Sequence, residues 1–200
     1  MNPWLVTGVT VLAFILGAVP WGLVLSRMAG VDIRRQGSGN IGMANVWRCL
    51  GWKYALPTLL LDMAKVFAPT FALVAWQGVQ APAYLAAGAG ILGHCYSPFL
   101  GFSGGKGVAA TAGGLLALQP AFFLVLLCVY ALCLFLTRVS SLSALCCLVT
   151  GGLLLVVKPF PAMVLAKELL VFFLLISLIL IVRHTENIKR ILTGRENKLF

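Results

Sequence analysis

The sequence predicts an all-α integral membrane protein, a polytopic bundle of about seven transmembrane helices with the N-terminus outside and the C-terminus cytoplasmic. Three observations lead there. Of its 200 residues 61% are hydrophobic and only 10% charged, and the mean hydropathy is +1.02, a composition that does not make a water-facing surface. The apolar residues fall into runs close to the length that crosses ~30 Å of hydrocarbon. The cations behind the net charge of +10 sit in short segments beside those runs and not along one amphipathic face, so no nucleic-acid partner is expected. Residues 1–200 read as a single membrane-embedded domain.

Trp4 to Leu25 is the first span. A signal peptide carries its charge before the apolar run; here the first cation, Arg27, follows it, so the run is read as retained and the next loop as cytoplasmic. That loop sets Arg27, Arg34, Arg35, Arg48 and Lys53 against Asp32. Tyr54 to Trp76 is the second span. Within it Asp62 and Lys65 share one helix face, as a structural ion pair or as a charge pair supporting a site. Gln77 to Pro82 carries no charge, as an outside connection does, and Ala83 to Phe102 returns. Val108 to Leu118 is short for a span and reads as a thinned or partly re-entrant helix. Ala121 to Thr137 leads back to Arg138, Leu142 to Val157 goes out to Lys158, and Ala162 to Val182 is the last passage. On this count twelve of the fifteen Lys and Arg face the cytoplasm, all but Lys65, Lys158 and Lys167.

The six cysteines include no Cys-x-x-Cys pair, and no carboxylate–histidine cluster has ligand spacing, so neither a disulfide framework nor a metal or other cofactor is expected. Three polar stretches remain, and on this topology they converge on one membrane face. In the first, Gly37, Gly39 and Gly42 free the backbone for positive φ and exposed N–H groups, while Ser38, Asn40, Asn45 and Arg48 supply donors. It is either a polar connector or an anion site. In the second, Gly93 to Gly107, glycines surround Lys106. It is not a nucleotide P-loop, because Leu100 stands where the first glycine belongs and Gly107 where Ser or Thr would hold magnesium. His94 there is either a satisfied interior histidine or a site residue. The third follows the last span, where Arg183, His184 and Asn187 would share one face of a continuing helix. Cations, hydroxyls, amides and bare N–H groups at one interface suit a phosphorylated small molecule, handled by a phospholipid-synthesis enzyme or by a transporter of a phosphorylated solute. Transport favours polar groups at the bilayer midplane, whereas these hug one face.

The three stretches also carry a resemblance. Gly37-Ser38-Gly39-Asn40 with Gly42, Asn45 and Arg48, then Gly93-His94 with Gly101-Phe102 and Gly104-Gly105-Lys106-Gly107, then Arg183-His184 with Glu186-Asn187-Ile188 and Gly194-Arg195-Glu196, resemble in order and spacing the motifs of the bacterial acyl-phosphate:glycerol-3-phosphate acyltransferases, the PlsY family. Ala44, Ser103 and Val66 depart from the residues usual at their positions. The resemblance implies transfer of a fatty acyl group from acyl phosphate to the sn-1 hydroxyl of glycerol 3-phosphate, giving lysophosphatidic acid and phosphate. It implies a bacterial cytoplasmic (inner) membrane enzyme with its site on the cytoplasmic side. Its partners would be those two substrates and membrane lipid, with no cofactor. Carried over by motif, Ser38, Arg48, Lys106, His184 and Asn187 are the catalytic positions. Ser38, Arg48, Lys106 and Ser141 would contact phosphate, and His184 and Asn187 the glycerol end. Gly37, Gly39, Gly104, Gly105 and Gly107 would close around the leaving phosphate, and Asn40, Asn45, His94, Arg183 and Glu196 are further substrate-binding positions. An acyl phosphate is already an activated mixed anhydride, so no side-chain nucleophile is required. The base is the acyl phosphate's own oxygen, His184 or His94.

Overall fold

The computed structural model describes residues 3–157 and 167–200, and these form ten α-helices and two 3-10 turns with no strand among them. The Lys158 connection and the start of the expected last span lie outside the described residues. The chain divides into two compact units, Met1–Leu118 and Gln119–Phe200.

In the first unit the leading apolar run is two helices and not one, α1 (Pro3–Ala18) and α2 (Trp21–Met28). Pro20 explains the break, since it lacks an N–H and disfavours helix at the residue before it. Side chains take the carbonyls at the break: Ser97 Oγ donates to Ala18 at 2.6 Å and Lys65 Nζ to Val19 at 2.7 Å. After α3 (Met43–Leu50) comes α4 (Trp52–Gln77), 26 residues long and continuous through Pro57 and Pro69. The passage expected over Ala83 to Phe102 is shorter as a helix. α5 (Ala81–Cys95) stops before Ser97-Pro98, a 3-10 turn follows at Pro98–Leu100, and Gly101 turns the chain at φ 57°. Its 15 residues rise about 22 Å. α6 (Val108–Leu118) matches the expected boundaries, and its 11 residues rise only about 16 Å, half the hydrocarbon thickness.

Small residues bring these helices together, as packing inside a bilayer requires. A Cβ on Gly17 would lie 2.1 Å from the Gly90 carbonyl, one on Gly93 would lie 2.2 Å from that of Phe14, and one on Gly113 would lie 2.1 Å from that of Met63. So α1 rides directly on α5, and α4 on α6. A separate apolar cluster of Leu23, Ile33, Ile41, Val46 and Ala55 lies under the first glycine loop.

The second unit holds α7 (Pro120–Thr137), α8 (Ser140–Val157), α9 (Lys167–Arg183) and α10 (Thr185–Leu192). α7 turns into α8 through Arg138 at φ 60°. Phe122 and Phe173 pack edge to face, 5.4 Å between centroids, as the buried contact of α7 with α9. Leu124, Leu127, Leu132, Phe135 and Leu136 of α7 face outward, which is a lipid-facing stripe. Among the described residues four stretches are long and apolar enough to cross a membrane: Pro3–Met28, Trp52–Gln77, Pro120–Thr137 and Ser140–Val157. A fifth joins them if α9 and α10, bent by 63°, count as one. The other passages in the count of about seven rest on α5 and α6, which are shorter.

Candidate functional site

In the first unit the glycine loop after α2 is wound around one side chain. Asn45, in the first turn of α3 and only 2% exposed, sends Nδ2 to the carbonyls of Ile33, Gln36 and Asn40 at 3.3, 3.0 and 2.9 Å, and its Oδ1 accepts the Ser38 N–H at 2.8 Å. Gly37 has to be glycine here, because its φ is +56° and a Cβ would sit 2.3 Å from Asn45 Oδ1. Asn40 is likewise engaged: its Oδ1 accepts the Gly42 N–H at 2.8 Å. The Gly39 N–H goes to the Gln36 carbonyl. Asp32 opens the loop by accepting the Arg34 N–H and Nε–H, and the Arg34 guanidinium holds its carboxyl well below the usual range.

These partners correct the expectation of a row of free N–H groups. The N–H groups of Ser38, Gly39 and Gly42, and the Asn45 amide, build the loop. Of the side chains expected to meet phosphate, the loop leaves Ser38 partly exposed and, one turn after Asn45, Arg48 half-buried.

The second glycine stretch folds back onto the end of α5. The Gly104 N–H donates to the Cys95 carbonyl at 3.1 Å and the Gly105 N–H to that of His94 at 3.0 Å. A Cβ on Gly105 would fall 2.1 Å from His94 Nε2, and one on Gly104 2.1 Å from the His94 carbonyl oxygen. Gly104 and Gly105 are therefore packing glycines, and His94, 3% exposed, lies beneath the loop and not in its mouth. Lys106 is half-buried, and Gly107 at φ +89° turns the chain into α6. The first turn of α6 has N–H groups that no preceding carbonyl can fill, an anion-attracting end beside a cation.

In the second unit the organising group is Glu196. Its Oε1 accepts from Ser141 Oγ at 2.9 Å and from Asn187 Nδ2 at 2.6 Å, and its Oε2 accepts from Arg190 Nε at 2.7 Å. Ser141 and Glu196 thus bind each other. Arg190 was not singled out from the sequence, although its i, i+3 spacing from Asn187 was a usable signal. The chain does not continue straight after Arg183: the 63° bend falls there, with His184 capping α10. Arg183, half-buried, ends α9, so it leaves the face it was expected to share with Asn187. His184 is 1% exposed and its Nδ1 lies 2.8 Å from the Leu180 carbonyl oxygen, which makes Nδ1 the protonated nitrogen and Nε2 an acceptor when the ring is neutral. Asn187 is 3% exposed. An ionised Glu196 can only accept, so the NH2 end of the Asn187 amide faces it. The other end, Oδ1, is buried and has no hydrogen-bond partner among the described residues. The tail closes over the α7–α8 turn, with the Leu199 N–H on the Arg138 carbonyl at 2.7 Å.

Burial works against ionisation of Glu196, and the donors Arg190, Asn187 and Ser141 outweigh it, so its pKa lies below the ordinary 4.5. The stabilisation is therefore present above that value and lost as pH falls through the lowered one. Glu196→Gln is expected to lower stability at neutral pH by about 2 kcal/mol and to flatten the fall in melting temperature on acidification below about pH 5. Thermal melts in detergent across pH check this; an unchanged acid limb would show that Glu196 does not carry it.

The comparisons agree along nearly all of the chain. The family described as glycerol-3-phosphate acyltransferase matches residues 7–194. The glycerol-3-phosphate acyltransferase of Aquifex aeolicus is 37% identical over 94% of this chain and 96% of its own. The crystal structure of PlsY, an integral membrane glycerol 3-phosphate acyltransferase, superposes in its glycerol 3-phosphate form with TM-score 0.88 and 35% identity over 96% of this chain and 94% of that one. Its lysophosphatidic acid form gives TM-score 0.86 and 34% identity over the same shares, 96% and 94%.

Proposed function

The chain belongs to the glycerol-3-phosphate acyltransferase family, and from that premise we propose that it moves a fatty acyl group from acyl phosphate to the sn-1 hydroxyl of glycerol 3-phosphate. The products are lysophosphatidic acid and inorganic phosphate. That it is a multi-pass membrane protein of the acyltransferase type follows from the family and from its apolar helices. The single match through both units supports treating residues 1–200 as one acyltransferase domain. The positive-inside pattern supports a bundle of about seven passages in the bacterial inner membrane, N-terminus out, with the chemistry on the cytoplasmic side.

The observation that carries the reading is Asn187. A buried amide oxygen without a donor is an unfilled place for an O–H group, and it sits three residues from a histidine whose acceptor nitrogen is set by Leu180. A polyol such as the glycerol end of glycerol 3-phosphate supplies such hydroxyls. In the other unit Ser38, Arg48 and Lys106, with the N-terminal turn of α6, take phosphate. The hydroxyl oxygen attacks the acyl carbon, the carbon–oxygen bond to phosphate breaks, and the hydroxyl proton ends on the departing phosphate. Ser141 is not a nucleophile in this scheme. Its hydroxyl is turned to Glu196, whose lowered pKa makes it a poor base.

The test follows labelled glycerol 3-phosphate into lysophosphatidic acid with purified protein, offering acyl phosphate, acyl-CoA and acyl carrier protein thioester in parallel. Turnover is expected with acyl phosphate alone. Turnover with a thioester would overturn the donor, and none with any donor would overturn the reaction and turn attention to flux in liposomes.

A further inference from the structure

Beneath the Gly104–Gly107 loop lies a set of buried charges that the reaction above does not use. Asp62 and Lys65, one turn apart on α4, are 2% and 8% exposed. Lys65 Nζ donates to Asp62 Oδ1 at 2.7 Å and to the Val19 carbonyl, at the α1–α2 break, also at 2.7 Å. His94, 3% exposed on α5, directs Nδ1 toward the same Asp62 oxygen at 3.7 Å. The opposite edge of that ring carries the loop: Nε2 stands where a Gly105 Cβ would fall, 2.1 Å away, and the Gly105 N–H ends on the His94 carbonyl. Ser97, 1% exposed, ties the far side of the turn to the Ala18 carbonyl.

Charges inside a span are costly, and an apolar pair would pack two helices as well or better. This pair also does more than join α4 to the broken helix, because its carboxylate faces the histidine on which the loop rests. We infer that Asp62 is a positioning residue: held by Lys65, it sets the His94 ring against Gly105 and thereby the place of Lys106. The inference rests on the reading of the Lys106 loop as a phosphate site. It assigns the Asp62–Lys65 pair to the reaction, acting through His94, in addition to its packing role.

Asp62→Asn alone strands a buried ammonium, so the variant of choice is Asp62→Asn with Lys65→Met, which removes both charges at similar volume. His94→Phe is the second, keeping a ring under Gly105 without the nitrogen that faces Asp62. Each is compared with Lys106→Arg, singly and combined, by kcat, by KM for both substrates and by melting temperature in detergent. Each is expected to raise KM by about 10–100-fold for the same substrate whose KM rises in Lys106→Arg, at a melting temperature near that of the unsubstituted protein. Combination with Lys106→Arg is expected to add little, because both changes act on one contact. Multiplicative losses, or a lower melting temperature with both KM values unchanged, would overturn the inference and leave a packing pair. If Asp62→Asn/Lys65→Met does not fold, His94→Phe decides between these results. Failure of the underlying reading looks different: the unsubstituted protein fails to turn over, or Lys106→Arg leaves both KM values untouched.

Discussion

Lys106→Ala and Arg48→Ala are each expected to lose nearly all activity, about 10²–10³-fold or more in kcat, with the fold retained. The proposed reaction needs negative charge held at two phosphorylated substrates and on the departing phosphate, so a cation removed from either loop is missed most in the transition state. Each loop is also held by contacts other than these two side chains. The first loop is wound on the Asn45 amide, and the second is fixed by the N–H groups of Gly104 and Gly105 on the end of α5. Melting temperatures should therefore stay close to that of the unsubstituted protein while turnover disappears. Arg48→Lys is expected to recover only part of the rate, because an ammonium cannot make the two parallel bonds a guanidinium offers a phosphate. Unsubstituted turnover in either alanine variant would remove the phosphate site from these loops.

The fold class was legible because apolar runs and flanking cations are written directly in the composition. The three polar stretches stood out because glycines, amides and cations cluster there between apolar runs. What the sequence did not show was where donors are spent. Glycines announce that a backbone is free to turn, but Gly37 and Gly105 are glycines because Asn45 Oδ1 and His94 Nε2 occupy the space of a side chain, and no helix or strand spacing relates the residues in such contacts. The same holds for Glu196, whose three donors come from Ser141, Asn187 and Arg190. Helix limits were missed where a proline acts locally, at Pro20 and at Ser97-Pro98. The 63° bend after Arg183 has no proline or glycine to mark it. Asp62 and Lys65 were visible as a pair from spacing alone, but their third partner, His94, is on another helix.

His184→Ala is expected to raise KM for glycerol 3-phosphate by about 10–100-fold and to leave kcat within about tenfold. The outcome depends on where the hydroxyl proton goes. His184 is held with Nδ1 on the Leu180 carbonyl, so Nε2 is the nitrogen able to accept from a hydroxyl, and at 1% exposure the ring is kept in that orientation. The phosphate oxygen that is released as the carbon–oxygen bond breaks is nonetheless a base strong enough to take the proton itself. The proton can pass to the leaving group directly, with His184 and the open Asn187 Oδ1 doing no more than orienting the attacking hydroxyl. Asn187→Leu should then behave like His184→Ala, with a KM effect dominating, and the pH–rate profiles of both should keep the shape of the unsubstituted enzyme. If His184 were the base, kcat would fall by about 10²–10⁴-fold and the acid limb of the profile would vanish in His184→Ala while surviving in Asn187→Leu. Measuring kcat and KM across pH for these two variants therefore separates a histidine base from the substrate's own phosphate.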